Sequence, residues 1–215
     1  MSNIRFVASS ESSQPSLSKT DWLDIAVYGE LNDDQTALKE EIRPLIQKAV
    51  ESAVPLRVKV SLVLVGNRIT SKIHDFSHLG PDRIFLYDHV SFSDHNLSDI
   101  VIALKHFSKE YKPSVILFSS SDFSSLLAET LATELNLSFA DHISDFKIQP
   151  NKDLSSPREE QQPIFQAVAQ SRPQIITVRT ETLPIRSVSP RSVGEIILCE
   201  LPDEIYLRQI EKGSS

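Results

Sequence analysis

The sequence predicts an α/β fold of three layers, a mostly parallel sheet flanked by helices, and three observations carry the prediction. Short apolar runs of strand length alternate with longer segments of helical spacing over residues 23–135. Several of these runs are apolar along most of their length, as expected of strands covered on both faces. Proline leads two of them, Pro113-Ser114-Val115-Ile116-Leu117-Phe118 and Pro173-Gln174-Ile175-Ile176-Thr177-Val178-Arg179, which suits extended chain better than helix.

Residues 9–19 are rich in Ser with Gln and Pro and offer little to fold around, so residues 1–20 are expected to be a flexible leader. The first strand is read in Leu23-Asp24-Ile25-Ala26-Val27-Tyr28-Gly29, ending at the first glycine. A helix over residues 36–54 follows from the spacing of Leu38, Ile42, Leu45, Ile46, Ala49, Val50 and Ala53, with Pro44 marking a kink or a late start. Residues 56–66 read as the second strand, residues 69–79 as a short helix closed by Gly80, and residues 83–87 as the third strand. Leu97, Ile100, Val101, Leu104 and Phe107 predict a helix over residues 97–111, stopped by Pro113 before the fourth strand at residues 115–118. Asp122 is a candidate cap for a helix over residues 123–135. Beyond Asn136 the style changes. Residues 137–140, 143–148, 164–169 and 174–179 read as strands that add to the sheet in antiparallel fashion, with an exposed loop at residues 150–162. A last strand is expected at residues 195–201, and residues 203–215 read as a polar tail. The domain proper is therefore expected to span residues 21–202.

Composition narrows the function classes. With 215 residues, 40% hydrophobic and 24% charged, the chain can bury a full core. A net charge of −7 without clustered Lys and Arg argues against nucleic acid. No apolar run approaches the ~18 residues of a membrane span, so membrane insertion is not expected and the cytoplasm is the default address. The single cysteine, Cys199, lies in the apolar run Ile196-Ile197-Leu198-Cys199 and reads as a buried structural thiol.

Motifs that carry chemistry are sparse. Tyr28-Gly29-Glu30-Leu31-Asn32 follows the first strand where a dinucleotide-binding chain would carry Gly-x-Gly-x-x-Gly, and no Walker loop occurs. The nearest thing to an anion seat is Ser119-Ser120-Ser121, which runs into a helix start whose N–H groups and hydroxyls could receive a cofactor phosphate; an ordinary polar turn with an N-cap explains the same residues, and Asp122 would repel phosphate. His74 and His78 share metal-compatible spacing without a His-Glu-x-x-His frame, so no metal is expected. Asp141-His142 at a strand end lacks a nucleophile beside it. No catalytic constellation emerges, and the chain is not expected to be an enzyme. Arg172 and Arg179 suit structural roles through their planar forks, and Arg179 is also a candidate contact for a partner subunit.

The order of these segments resembles the amino-terminal domain of the electron transfer flavoprotein alpha subunit, from about Leu23 to Leu201. The resemblance rests on the Pro113-led strand running into a small-residue turn, on Leu79-Gly80-Pro81-Asp82-Arg83 before the third strand, on Leu137-Ser138-Phe139-Ala140-Asp141, and on Arg172-Pro173-Gln174 with Thr177-Val178-Arg179. It departs from the family at Ser119-Ser120-Ser121-Asp122-Phe123, which lacks the family's glycine and arginine, at Pro163-Ile164-Phe165-Gln166, and at Arg179-Thr180-Glu181. The resemblance implies an adenine nucleotide alpha hydrolase-like fold. It also implies a scaffold that pairs with a beta-type subunit and supports a flavin bound elsewhere. Nothing after Leu201 resembles the family's carboxy-terminal FAD-binding domain, as in a piece of a longer subunit or a naturally short relative. FAD is thus expected only with a further domain or partner. The alternatives are a stand-alone protein of this fold binding AMP or ATP, and a ligand-free homodimeric module.

Overall fold

In a computed structural model, which describes residues 3–7, 21–76, 78–158, 161–183 and 194–213, the described residues form ten strands and six helices. They are β1 (Asn3–Val7), β2 (Ile25–Tyr28), α1 (Ile42–Ala53), β3 (Val60–Gly66), α2 (Ile73–Phe76), β4 (Arg83–Asp88), α3 (Leu97–Tyr111), β5 (Val115–Ser119), α4 (Asp122–Glu134), β6 (Phe139–Ile143), β7 (Lys147–Ile148), β8 (Leu154–Ser155), α5 (Pro163–Gln170), β9 (Gln174–Val178), β10 (Glu195–Cys199) and α6 (Asp203–Gly213). The main sheet has the order β1-β10-β4-β3-β2-β5-β9-β6, with every neighbouring pair parallel. Its central strands are apolar throughout because both faces are covered. Ile25, Val27, Leu62, Leu64, Ile84, Leu86, Val115 and Leu117 pack with α1, α2 and α5 on one side. Their neighbours Ala26, Tyr28, Val63, Val65, Phe85, Tyr87, Ile116 and Phe118 pack with α3, α4 and α6 on the other. The three-layer α/β prediction holds.

Local chemistry sets the helix limits. The helix expected from residue 36 starts late, at Ile42, which puts Pro44 in the first turn, where its missing N–H has no helical partner to lose. Asn96 caps α3 by accepting from the N–H groups of Ser98 (3.0 Å) and Asp99 (3.3 Å), and α3 ends at Tyr111 before Lys112, whose φ of 47° turns the chain toward Pro113. At α4 the cap is Ser121 and not Asp122: the Ser121 hydroxyl accepts from the Ser124 N–H at 3.0 Å, and Asp122 is the exposed first residue of the helix. The helix read at residues 69–79 splits into a tight turn at Thr70–Lys72 and the single turn α2, and Gly80 follows at φ +93°. The second strand begins at Val60, later than expected, because Val54–Leu56 form a 3₁₀ turn and Arg57 adopts φ +55°.

The largest corrections fall at the chain ends and after Asn136. Asn3–Val7, within the expected leader, form the edge strand β1 against β10, from Asn3↔Glu195 to Val7↔Cys199; the rest of that segment, residues 8–20, lies outside the described residues. Its backbone pairs along an edge that β10 would otherwise leave open. The late strands β6, β9 and β10 enter the sheet parallel, not antiparallel, and the antiparallel pairing is confined to the small β7–β8 hairpin. Residues 164–169, read as a strand, form helix α5: Pro163 occupies its first position and Phe165 and Val168, three apart, face the core. That helix provides the crossover a parallel β9 requires. Residues 203–213, read as polar tail, form α6, which buries Ile205 and is tied to α3 by Arg208 and Asp99 at 3.2 Å.

Candidate functional site

The chain runs from β2 outward through β3 and β4, then crosses back to place β5 on the other side of β2. In open α/β sheets this reversal opens a crevice at the carboxyl ends of the two strands, the usual ligand seat of the architecture. Here β2 ends in Tyr28-Gly29-Glu30, and β5 ends in Ser119 followed by the Ser121 cap of α4.

The crevice is filled from within. Glu30, 3% exposed, points its carboxylate at the amino terminus of α4. Its Oε2 accepts from the hydroxyls of Ser121 (2.5 Å), Ser124 (2.7 Å) and Ser119 (3.4 Å), and its Oε1 is ion-paired with Lys39. Burial pushes the Glu30 carboxyl up, but the hydrogen bonds from Lys39, Ser121 and Ser124 and the Lys39 charge outweigh it, so the group titrates below the ordinary glutamate value. Of the three serines singled out in the sequence, Ser119 and Ser121 therefore converge on one anion, whereas Ser120 only ties the turn to β9 through its N–H and the Val178 carbonyl at 3.0 Å. Ser124 and Glu30 were missed. The available signal was an acid directly after the first strand's glycine, with Lys39 nine residues on.

The connection from β2 to α1, residues 29–39, closes over the same end of the sheet. It folds back through the Leu31↔Leu38 bridge and through the Lys39 N–H donating to the Glu30 carbonyl at 3.0 Å. At its tip Gln35, 5% exposed, donates to the carbonyls of Phe92 (2.8 Å) and Ser93 (3.1 Å) and accepts from the Asn67 N–H (2.6 Å). The fit depends on glycine at two places. A Cβ at Gly29 would lie 2.4 Å from Leu64, and one at Gly66 would lie 2.7 Å from the Gln35 oxygen. The residues present do not fit a dinucleotide: a pyrophosphate would meet the Glu30 carboxylate where it needs donors.

A second polar cluster sits at the ends of β6 and β9. The Asp141 carboxylate accepts from Thr177 and from Ser125 (3.0 Å) and lies 2.7 Å from His142 Nδ1. Burial pushes the Asp141 carboxyl up, and the bonds from Thr177, His142 and Ser125 hold it below the usual range. Arg179 donates from Nε to the His142 carbonyl at 2.8 Å, which fastens β6 to β9 and leaves the residue exposed at the rim. Arg172 is inside: it pairs with Asp153 and donates to the carbonyls of Ser171 (2.6 Å) and Ala169 (3.2 Å). The His74 side chain lies outside the described residues, and His78 is exposed on a turn.

Cys199 is buried beside the Tyr111 hydroxyl, 3.9 Å away, and burial pushes its thiol up to about 12. Native protein at pH 8 is expected to react with a thiol-specific disulfide reagent on the order of a thousandfold more slowly than guanidinium-unfolded protein, followed by absorbance. Equal rates would contradict the burial.

The fold and its switch point define a three-layer, doubly wound α/β domain whose crevice is closed by its own chain. Residues 34–204 match the electron transfer flavoprotein domain family, and the chain belongs to that family. It is similar to the lactate dehydrogenase (NAD(+),ferredoxin) subunit LctC of Acetobacterium woodii, 28% identical over 158 residues, which cover 70% of this chain and 36% of that protein. It is also similar to the electron transfer flavoprotein subunit alpha of Thermoanaerobacterium thermosaccharolyticum, 26% identical over 115 residues, 54% of this chain and 34% of the relative. The chain thus spans about a third of the length of the curated relatives it matches. No helix among the described residues is long and apolar enough to cross a membrane.

Proposed function

We propose that this chain is the alpha-type scaffold of a cytoplasmic electron transfer flavoprotein: it pairs with a beta-type subunit and supports a flavin carried by another domain or subunit, without catalysing a reaction itself. The observation that carries this reading is the family match over residues 34–204, nearly the whole described core, set beside coverage of only a third of each relative. The filled crevice supports it further, because a domain that seats its own carboxylate at the switch point suits holding a neighbour better than binding AMP or ATP. Arg179, exposed at the carboxyl end of β9, is the residue proposed to contact the partner.

Co-expression with a beta-type subunit tests the proposal. The expected result is a stable heterodimer from which the isolated chain, once separated, carries no flavin absorbance. Arg179→Glu should abolish association while the free chain still folds and unfolds cooperatively, its melting temperature lowered only by the loss of the bond to the His142 carbonyl. A yellow isolated chain with stoichiometric flavin, or no association with any beta-type subunit, would overturn it.

A further inference from the structure

The geometry points to Glu30 as an internal substitute for an external oxyanion: its carboxylate holds the seat at the amino terminus of α4 and makes Glu30 the residue by which this domain refuses phosphates and other oxyanions. The inference concerns this chain's own binding selectivity and stands apart from partner association.

Three features support it. First, the donor set is that of an anion site. Serine hydroxyls from the end of β5, from the helix cap and from the first turn of α4 converge with one ammonium on a single carboxylate, 3% exposed. Ser121 does two things at once, accepting from the Ser124 N–H and donating to Glu30, so the helix end is coupled to the carboxylate through a hydroxyl. The positive end of a helix favours an anion there, and this chain supplies it covalently. Second, the occupant is locked. Lys39 comes from the same loop as Glu30, so the pair closes that loop on itself, and Gln35 fastens its tip to the ends of the neighbouring segments. Third, the backbone beside it is closely packed. Gly29 stands immediately before Glu30, and a Cβ there would lie 2.4 Å from Leu64 and 2.9 Å from Leu38, so a larger residue at this position would displace those side chains.

Chemical rescue tests this. Wild-type chain should show no rise in melting temperature with inorganic phosphate, AMP or ATP beyond that produced by sodium chloride at equal ionic strength. Glu30→Ala vacates the seat and should lower the melting temperature on the order of 5 °C, with part of the loss recovered in sodium formate or acetate and none in chloride. Glu30→Gln, which keeps the volume and fills the seat with a neutral amide, should melt below wild type and show no formate response. If Glu30→Ala does not fold in ordinary buffer, recovery of monomer on refolding in formate against chloride is the readout. Nucleotide- or phosphate-specific stabilisation of wild type would overturn the inference. So would a Glu30→Ala chain that behaves identically in formate and chloride. A chain that fails to pair with a beta-type subunit can still show the rescue, so the two proposals fail separately.

Discussion

Phe85→Ala is expected to lower the unfolding free energy by about 3–5 kcal/mol, the largest loss from any single truncation argued for this chain. Phe85 sits in the middle of β4, 1% exposed, between Val63 of β3 and Ile197 of β10. Its ring meets Phe107 of α3 edge-on at 5.1 Å and Tyr111 at 4.4 Å, so it joins the sheet to the helix that covers this half of it. Removing it forfeits the transfer of a large side chain and the aromatic contacts, and leaves a hole that rigid neighbours on both adjacent strands cannot fill. Urea unfolding measures the loss. Leu126→Ala, at a residue 51% exposed on α4, serves as the control and should change stability by less than about 0.5 kcal/mol. Equal effects at the two positions would mean that β4 does not lie between these layers.

That layer was legible in the sequence because its information is local. Val60–Gly66 is apolar at almost every step, and α3 announces itself through the spacing of Leu97, Ile100, Val101, Leu104 and Phe107 and the stop at Pro113. Elements whose identity depends on distant partners were not legible. Residues 164–169 carry too few turns for helical period to stand out from an apolar run, and only the crossover to a parallel β9 makes the helix necessary. In α6 the burial of Ile205, the one buried residue among those whose side chains are described, distinguishes a packed helix from a solvated tail. Strand direction in the late sheet is likewise a matter of connection and not of composition.

The candidate site divides the same way. The serine turn was visible as a place where an anion could rest, since hydroxyls directly before a helix are a local pattern. What rests there was not visible, because Glu30 lies about ninety residues upstream of Ser121 and meets it only through the β2–β5 adjacency. A missing glycine motif after the first strand reads as the loss of a site. In the fold, the Glu30 carboxylate takes the hydroxyl donors at the start of α4.

Gln174→Leu is expected to cost on the order of 3 kcal/mol, although it exchanges one side chain for another of similar size. Gln174 opens β9 with no exposed surface, and its amide is the joint between the main sheet and the β7–β8 hairpin. Its oxygen accepts from the Leu154 N–H at 2.7 Å, and its nitrogen donates to the carbonyls of Lys152 at 2.6 Å and Ser114 at 3.3 Å. Leucine would leave the Leu154 N–H and the Lys152 carbonyl without partners beside a buried apolar side chain, so the penalty is desolvation without compensation and not lost volume. Arg172 holds the same hairpin from the other side through Asp153, which should keep the hairpin attached and let the variant fold. The loss should therefore appear both in global stability and as faster hydrogen exchange at the Leu154 amide, whose acceptor is gone. A variant that loses global stability with unchanged exchange at Leu154 would place the strain elsewhere. One that keeps wild-type stability would show that water replaces the amide, and that the hairpin is held by Arg172 alone.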